Sequence, residues 1–269
     1  KTVNISGDTA FSLDVDAAIV VDEIVNTNSN KVAVDVSDIT ANGVSYTGGD
    51  NVDTFTGTAN VDIVSLGAGN DVVTGGVGAD KITLGAGRDS INITSDLTTG
   101  TVVNHSSTTA FDQITGFGLT SEALNDATLA TFEAKDSTVG GAEADILKLD
   151  FEAAAANQAI TVEANGTGAG QAANTTFTVS SGILTLDGSG AGAVDTLAEW
   201  VTEAAAVAAD DGDVVAFEFD SNTYVFGQNG AEDMLVELTG TTGVEGLIEL
   251  TGGAQDSSVT NAILFTDIA

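Results

Sequence analysis

Between residues 48 and 92 the chain repeats every nine residues, without an insertion. The units are GGDNVDTFT (48–56), GTANVDIVS (57–65), LGAGNDVVT (66–74), GGVGADKIT (75–83) and LGAGRDSIN (84–92). The sixth place is always aspartate: Asp53, Asp62, Asp71, Asp80 and Asp89. The eighth is always apolar: Phe55, Val64, Val73, Ile82 and Ile91. The fourth is Asn51, Asn60, Gly69, Gly78 and Gly87.

A nine-residue period of this kind divides into a six-residue turn and a three-residue strand. Side chains alternate faces along a strand, so the eighth place points inward in every unit and builds an apolar ladder. Glycine at the second and fourth places permits positive φ and close backbone approach, and asparagine is the next best tolerated there. Two units complete one coil, so units n and n+2 stack turn on turn. Carboxylates and carbonyls then face one another between turns, which is an oxygen cage suited to a hard divalent cation, above all Ca²⁺. Five units make three such stacked pairs. One glycine-rich nonamer alone is as well read as a wet loop. Five in register, with two fixed chemical positions, are not.

The pattern resembles the glycine-rich nonapeptide of RTX proteins, G-G-x-G-x-D-x-U-x, which folds as a parallel β-roll with Ca²⁺ between its turns. Residues 75–83 match it at every fixed place. The resemblance implies that backbone carbonyls near Gly67, Gly69, Gly76, Gly78, Gly85 and Gly87 complete the cages around the five aspartates. The stretch DQITGF after the last unit resembles the exit of such rolls, where Asp112 caps the final turn or ligates an ion. Arg88, just before Asp89, partly neutralises the last turn.

Charge supports the same partner. The 269 residues hold 40 acidic and 6 basic side chains, a net charge of −34 at pH 7. Nucleic acid requires Lys and Arg against its phosphates, so it is excluded as a partner, and an anionic membrane surface is disfavoured. Unless a cation is bound, self-repulsion works against the compact state. Hydrophobic residues at 42% suffice for a core. There is no cysteine, hence no disulfide framework. No apolar run approaches the ~18 residues of a transmembrane helix, and the N-terminal stretch does not read as a signal peptide. The chain begins at Lys1 rather than Met, as a processed product or fragment would.

Outside the repeats, residues 1–47 read as strands, with Val32, Val34 and Val36 alternating, and Tyr46 holds the eighth place of a vestigial unit. This segment is expected to stack on the roll. A short helix is expected over 120–134, a strand at ADILKLDF, and three strands at AITVEA, TFTVS and GILTLDG. Leu197, Trp200, Val201, Ala204 and Val207 follow helical spacing, and Thr196 with Glu199 has the capping-box spacing. Trp200 is expected in the core. Residues 213–240 read as a hairpin around DSN followed, after a polar loop, by a third strand. Asp210, Asp211 and Asp213 read as a solvated turn rather than an ion site, since the twelve-residue EF-hand loop is missing.

No catalytic arrangement stands out. His105 is the sole histidine, no cysteine offers a nucleophile, and a G-x-S-x-G elbow is absent. The chain is therefore expected to be mainly β and not an enzyme. The expected organisation is a stacking segment (1–47), a Ca²⁺-binding β-roll (48–92) and a β-rich C-terminal domain with one or two short helices (93–269).

A looser resemblance covers the C-terminal region. Phe217, Asn222, Thr223 and Tyr224, then Asp233, Leu235 and LTG at 238–240, are similar to the C-terminal region of type I-secreted RTX surface-layer proteins. The tail SVTNAILFTDIA suits the uncleaved signal read by type I exporters. The resemblance implies a secreted, Ca²⁺-dependent subunit that associates with its own copies at the bacterial cell surface, as a lattice or filament. A non-polymerising RTX adhesin and the non-catalytic end of a type I-secreted hydrolase are the alternatives.

Overall fold

A strand of three or four residues cannot bury its inward side chain alone, so each unit must lean on its neighbours. The computed structural model shows how this is solved. It describes residues 1–98, 101–104, 106–120, 144–149, 161–162, 166–172, 175–188, 194–229, 233–250 and 260–267. Successive strands alternate between two sheets, and each pairs in parallel with the strand one coil earlier.

The odd-numbered members are β1 (Thr2–Ile5), β3 (Glu23–Asn26), β5 (Ser45–Thr47), β7 (Ile63–Ser65) and β9 (Lys81–Thr83). The even-numbered members are β2 (Phe11–Asp14), β4 (Val32–Asp35), β6 (Asp53–Thr56), β8 (Val72–Thr74) and β10 (Ser90–Ile93). Odd strands form one end of a 13-stranded sheet and even strands one end of an 8-stranded sheet. Residues 1–47 continue the coil itself: Tyr46 pairs with Val64, and Ile24 with Tyr46.

The roll also runs on past residue 92. A hairpin, β11 (Ser95–Thr98) with β12 (Thr101–Asn104), leaves the coil. The chain then returns as β13 (Asp112–Thr115), parallel to β9, and as β14 (Ile146–Leu149), parallel to β10. Further on come β15 (Thr161–Val162), β16 (Gly166–Ala169), β17 (Thr175–Ser180) and β18 (Ile183–Gly188). They are followed by helix α1 (Leu197–Val207), β19 (Asp213–Phe219), β20 (Asn222–Gly227), β21 (Met234–Thr239), β22 (Gly246–Glu249) and β23 (Ala262–Asp267). β21 adds in parallel to β13, and β23 adds in parallel to β14. The C-terminal region is thus joined to the roll by both sheets. Beyond β21 the large sheet turns antiparallel through β20 and β19.

The apolar ladder forms as expected: Phe55, Val64, Val73, Ile82 and Ile91 are at most 1% exposed. Tyr46 and Phe55 stack with ring centroids 4.8 Å apart, and Val32, Val34 and Val36 are buried. Ile114 and Leu147 hold the same inward position in the two later strands, opposite Ile82 and Ile91. A second core lies between α1 and the antiparallel strands. There Trp200 is half-buried and stacks on Phe217 (5.3 Å), which stacks on Tyr224 (5.4 Å). Thr196 and Glu199 make the capping box. Asp220 and Ser221 both take positive φ, the geometry of a two-residue hairpin turn.

Some features depart from the sequence pattern or lie elsewhere. GTGA (166–169) lies in a glycine-rich stretch yet forms β16, because Gly168 sits opposite Phe177, whose ring would lie 2.6 Å from any Cβ there. Glu203 on α1 is buried, and its carboxylate accepts the N–H groups of Gln171 and Ala172. The helix expected over 120–134 lies outside the described residues beyond Thr120, as does His105.

The ladder makes one pair of neighbouring substitutions informative. Ile82→Ala should destabilise the protein in Ca²⁺ by about 2–5 kcal/mol, the usual result of emptying a buried aliphatic site. Ile63→Ala, at a position 57% exposed, should stay within about 0.5 kcal/mol of the parent. Urea denaturation of both variants checks this.

Candidate metal centre

Each sixth-place aspartate leaves its turn where the strand begins, with its carboxylate turned back under the stack. All five are at most 1% exposed, as is Asp112; Asp145, just before β14, is 3% exposed. A carboxylate so placed needs hydrogen-bond donors or a counter-charge.

For all but Asp53, backbone amides of the preceding coil supply donors. On the even-strand edge the N–H of Asp53 donates to Asp71 Oδ1 (2.7 Å), that of Asp71 to Asp89 Oδ1 (2.9 Å) and that of Asp89 to Asp145 Oδ1 (2.8 Å). On the odd-strand edge the N–H of Val44 donates to Asp62 Oδ1 (2.5 Å), that of Asp62 to Asp80 (2.8 Å) and that of Asp80 to Asp112 (2.9 Å). The result is a pair of aspartate ladders, one per edge. Within the repeats the rungs are 18 residues apart; Asp112 follows Asp80 by 32, and Asp145 follows Asp89 by 56.

Apolar residues bound both ladders. Val32 is the register partner of Asp53, and Val44 stands below Asp62. Val236 stands beyond Asp112, and the same pairing puts Ile263 beyond Asp145. All four are buried. The last N–H groups on the two edges donate to Ser106 Oγ from Asp112 (2.8 Å) and to the Gly118 carbonyl from Asp145 (3.0 Å).

All six glycines marked by the sequence lie in the stacked turns. A Cβ at Gly67 would come 2.1 Å from the Gly49 carbonyl oxygen, and one at Gly76 2.1 Å from that of Thr58. At Gly85 and Gly87 a Cβ would meet the Gly67 and Gly69 oxygens at 1.4 and 1.7 Å. At Gly69 and Gly78 the Asn51 and Asn60 oxygens lie 2.9 and 3.1 Å away. Peptide oxygens of one turn therefore crowd the glycines of the next, and only glycine allows that approach. Among the described residues no three carboxylate or imidazole groups cluster as a metal site. A cation here would be held by one or two carboxylates together with peptide oxygens, a donor set that fits Ca²⁺.

The electrostatics also call for positive charge. Burial pushes the Asp71, Asp80 and Asp145 carboxyls up to about 7. It raises Asp62 and Asp89 too, and carries Asp112 well above the ordinary carboxylate range. Neighbouring carboxylates add to the rise at Asp71, Asp80, Asp112 and Asp145, while backbone donors oppose it. The Arg88 charge draws Asp145 down, so its neutralising effect reaches Asp145 from the last repeat. Two buried oxygens, Asp71 Oδ2 and Asp80 Oδ2, have no hydrogen-bond partner. An orphaned carboxylate oxygen among peptide oxygens is what a hard cation would satisfy.

Comparison with known proteins agrees with this geometry. Residues 47–82 and 56–91 match the family model of the RTX calcium-binding nonapeptide repeat. Residues 47–91 are therefore RTX repeats, and the roll they form binds Ca²⁺. Proteins that carry such repeats are typically secreted. No helix among the described residues is long and apolar enough to cross a membrane. No curated protein matches the chain.

Asp112 and Asp145 lie outside the matched residues. Asp112 was legible from its place after the last unit; Asp145 was not singled out. Its turn is assembled from two pieces of chain, because Asp145 Oδ2 accepts the N–H of Gly118 (2.7 Å), 27 residues earlier. The signal that could have found it is the short pattern Asp-x-apolar. Asp145, Ile146 and Leu147 carry it, as do Asp112, Gln113 and Ile114.

The raised carboxyls set a sign for pH dependence. A carboxyl whose folded pKa lies above its unfolded value stabilises the fold fully below about 4, and that contribution is lost as pH climbs through about 7. In Ca²⁺-depleted buffer the urea midpoint should therefore fall between pH 5 and pH 8. In Ca²⁺ the fall should vanish or reverse, because the ion needs the ionised form. Equal slopes in both buffers would contradict this electrostatic picture.

Proposed function

We propose that this chain is a structural, non-enzymatic part of a bacterial surface protein that folds outside the cell in Ca²⁺ and there associates with copies of itself. In this reading it is most like a surface-layer subunit. It leaves through a type I exporter and assembles as a lattice or filament. The carrying observation is the pair of buried aspartate ladders in a chain of net charge −34. Such a chain is disfavoured as a compact body where Ca²⁺ is scarce and stabilised where it is abundant, because a ligand that binds only the folded state stabilises that state.

Two further features support association. Phe11, Ile19 and Val20 are 42–49% exposed, and neighbouring exposed apolar side chains favour contact with another surface. The hairpin that carries Phe217, Asn222, Thr223 and Tyr224, with Asp233 and Leu235 after it, has the likeness to surface-layer C-terminal regions noted above. Its exposed acidic residues repel between copies, so association should need Ca²⁺.

Negative-stain microscopy and sedimentation of the purified protein, with Ca²⁺ and with chelator, test the reading. Ordered sheets or filaments in Ca²⁺ that dissolve on chelation are the expected result. Monomers in both buffers would overturn assembly and favour an adhesin.

A further inference from the structure

The five repeat turns look alike in sequence, yet their aspartates are not satisfied alike. Asp53 takes the Asn26 side-chain amide on both oxygens (3.0 Å each) and the Gly49 N–H on Oδ2 (2.9 Å). Asp62 takes the Val44 N–H on Oδ1, the Thr58 N–H on Oδ2 (2.7 Å) and the Thr58 hydroxyl (3.2 Å). Asp89 takes the Asp71 N–H on Oδ1 and the Gly85 N–H on Oδ2 (3.3 Å). In these three turns the second-place N–H closes onto the aspartate of its own turn, and both carboxylate oxygens have donors.

Turns 66–71 and 75–80 are built differently. Their second-place glycines, Gly67 and Gly76, take φ of +99° and +96°, whereas Gly49 and Gly85 at the same place do not have positive φ. With the peptide turned this way, the second-place N–H no longer reaches its own aspartate. Asp71 Oδ2 and Asp80 Oδ2 are left buried and without a partner, in residues at most 1% exposed. Thr58 at the second place of turn 57–62 is not among the positive-φ residues, which L side chains rarely become.

From this difference we infer that the roll has two tight Ca²⁺ positions, one on each edge, with Asp71 and Asp80 as their charged donors. Turns 48–53, 57–62 and 84–89 hold their shape through protein donors and lend peptide oxygens rather than a charged ligand. The two tight positions thus come from adjacent repeats on opposite edges, which places one ion on each side of the apolar ladder at the middle of the roll. The number is lower than the three stacked pairs that the spacing alone offers, because spacing counts turns and not free oxygens. The inference rests on Ca²⁺ binding by the repeats and not on assembly, so a monomeric protein with two tight sites leaves it standing.

Isothermal titration of the whole chain with Ca²⁺ at neutral pH tests it, alongside circular dichroism to follow the fold. The wild type should titrate two tight sites. Asp71→Asn and Asp80→Asn should each weaken one of them on the order of a hundredfold, since charged-ligand count sets affinity at oxygen sites. Asp53→Asn and Asp62→Asn should keep both. Three or more equivalent tight sites in the wild type would overturn the inference, as would loss of a tight site in Asp53→Asn or Asp62→Asn. If Asp71→Asn or Asp80→Asn does not fold, the wild-type stoichiometry and the other two variants still decide.

Discussion

Stacked, buried carboxylates are what the rest of this molecule must accommodate. All but Asp53 are held by a backbone amide one coil away, so turn depends on turn. Like charges stacked along one edge in a shielded interior repel strongly, and the amide donors offset this only in part. That is why burial and neighbouring carboxylates together raise the aspartate pKa values, and why two oxygens remain unsatisfied. A divalent cation supplies what the six basic residues of the chain cannot. Folding and ion binding then become one equilibrium.

The ladders also explain how irregular chain can be joined to a regular roll. A rung needs only an aspartate that reaches the amide below and an inward apolar residue two places on. The intervening loop can be of almost any length, since loop-closure entropy grows slowly with size. Asp112 and Asp145 meet both conditions across separations of 32 and 56 residues. The next coils put Val236 and Ile263 at the same place, so charge gives way to apolar packing as the roll passes into the C-terminal region. Val32 and Val44 do the same at the other end. The aspartate ladders are thereby set between two stretches whose corresponding places are apolar, and both sheets run on into the C-terminal region.

Much of this was legible in the sequence because the repeats fix two chemical positions at once. The period set Asp53 to Asp89 and Phe55 to Ile91 at equivalent places, all of them buried, and it reached back to Tyr46 through a vestigial unit. The helix around Trp200 was legible from spacing and its capping residues. What escaped depends on contacts that have no period. Asp145 needs Gly118 to complete its turn, and the chain between them hides the unit. β16 is made by the partner strand and not by its own glycines. The different standing of Asp53 and Asp71 turns on the Asn26 amide and on the φ of one glycine, neither of which a repeat consensus records.

Hydrogen exchange across residues 48–92 at neutral pH, in Ca²⁺ and in chelator, tests the central claim most directly. The amides of Asp53, Asp62, Asp71, Asp80 and Asp89 are donors to the ladders and report on their integrity. The account predicts strong protection of this segment in Ca²⁺ and near-complete exchange in chelator. Equal protection in both would show that the ladders stand without the ion and would contradict it.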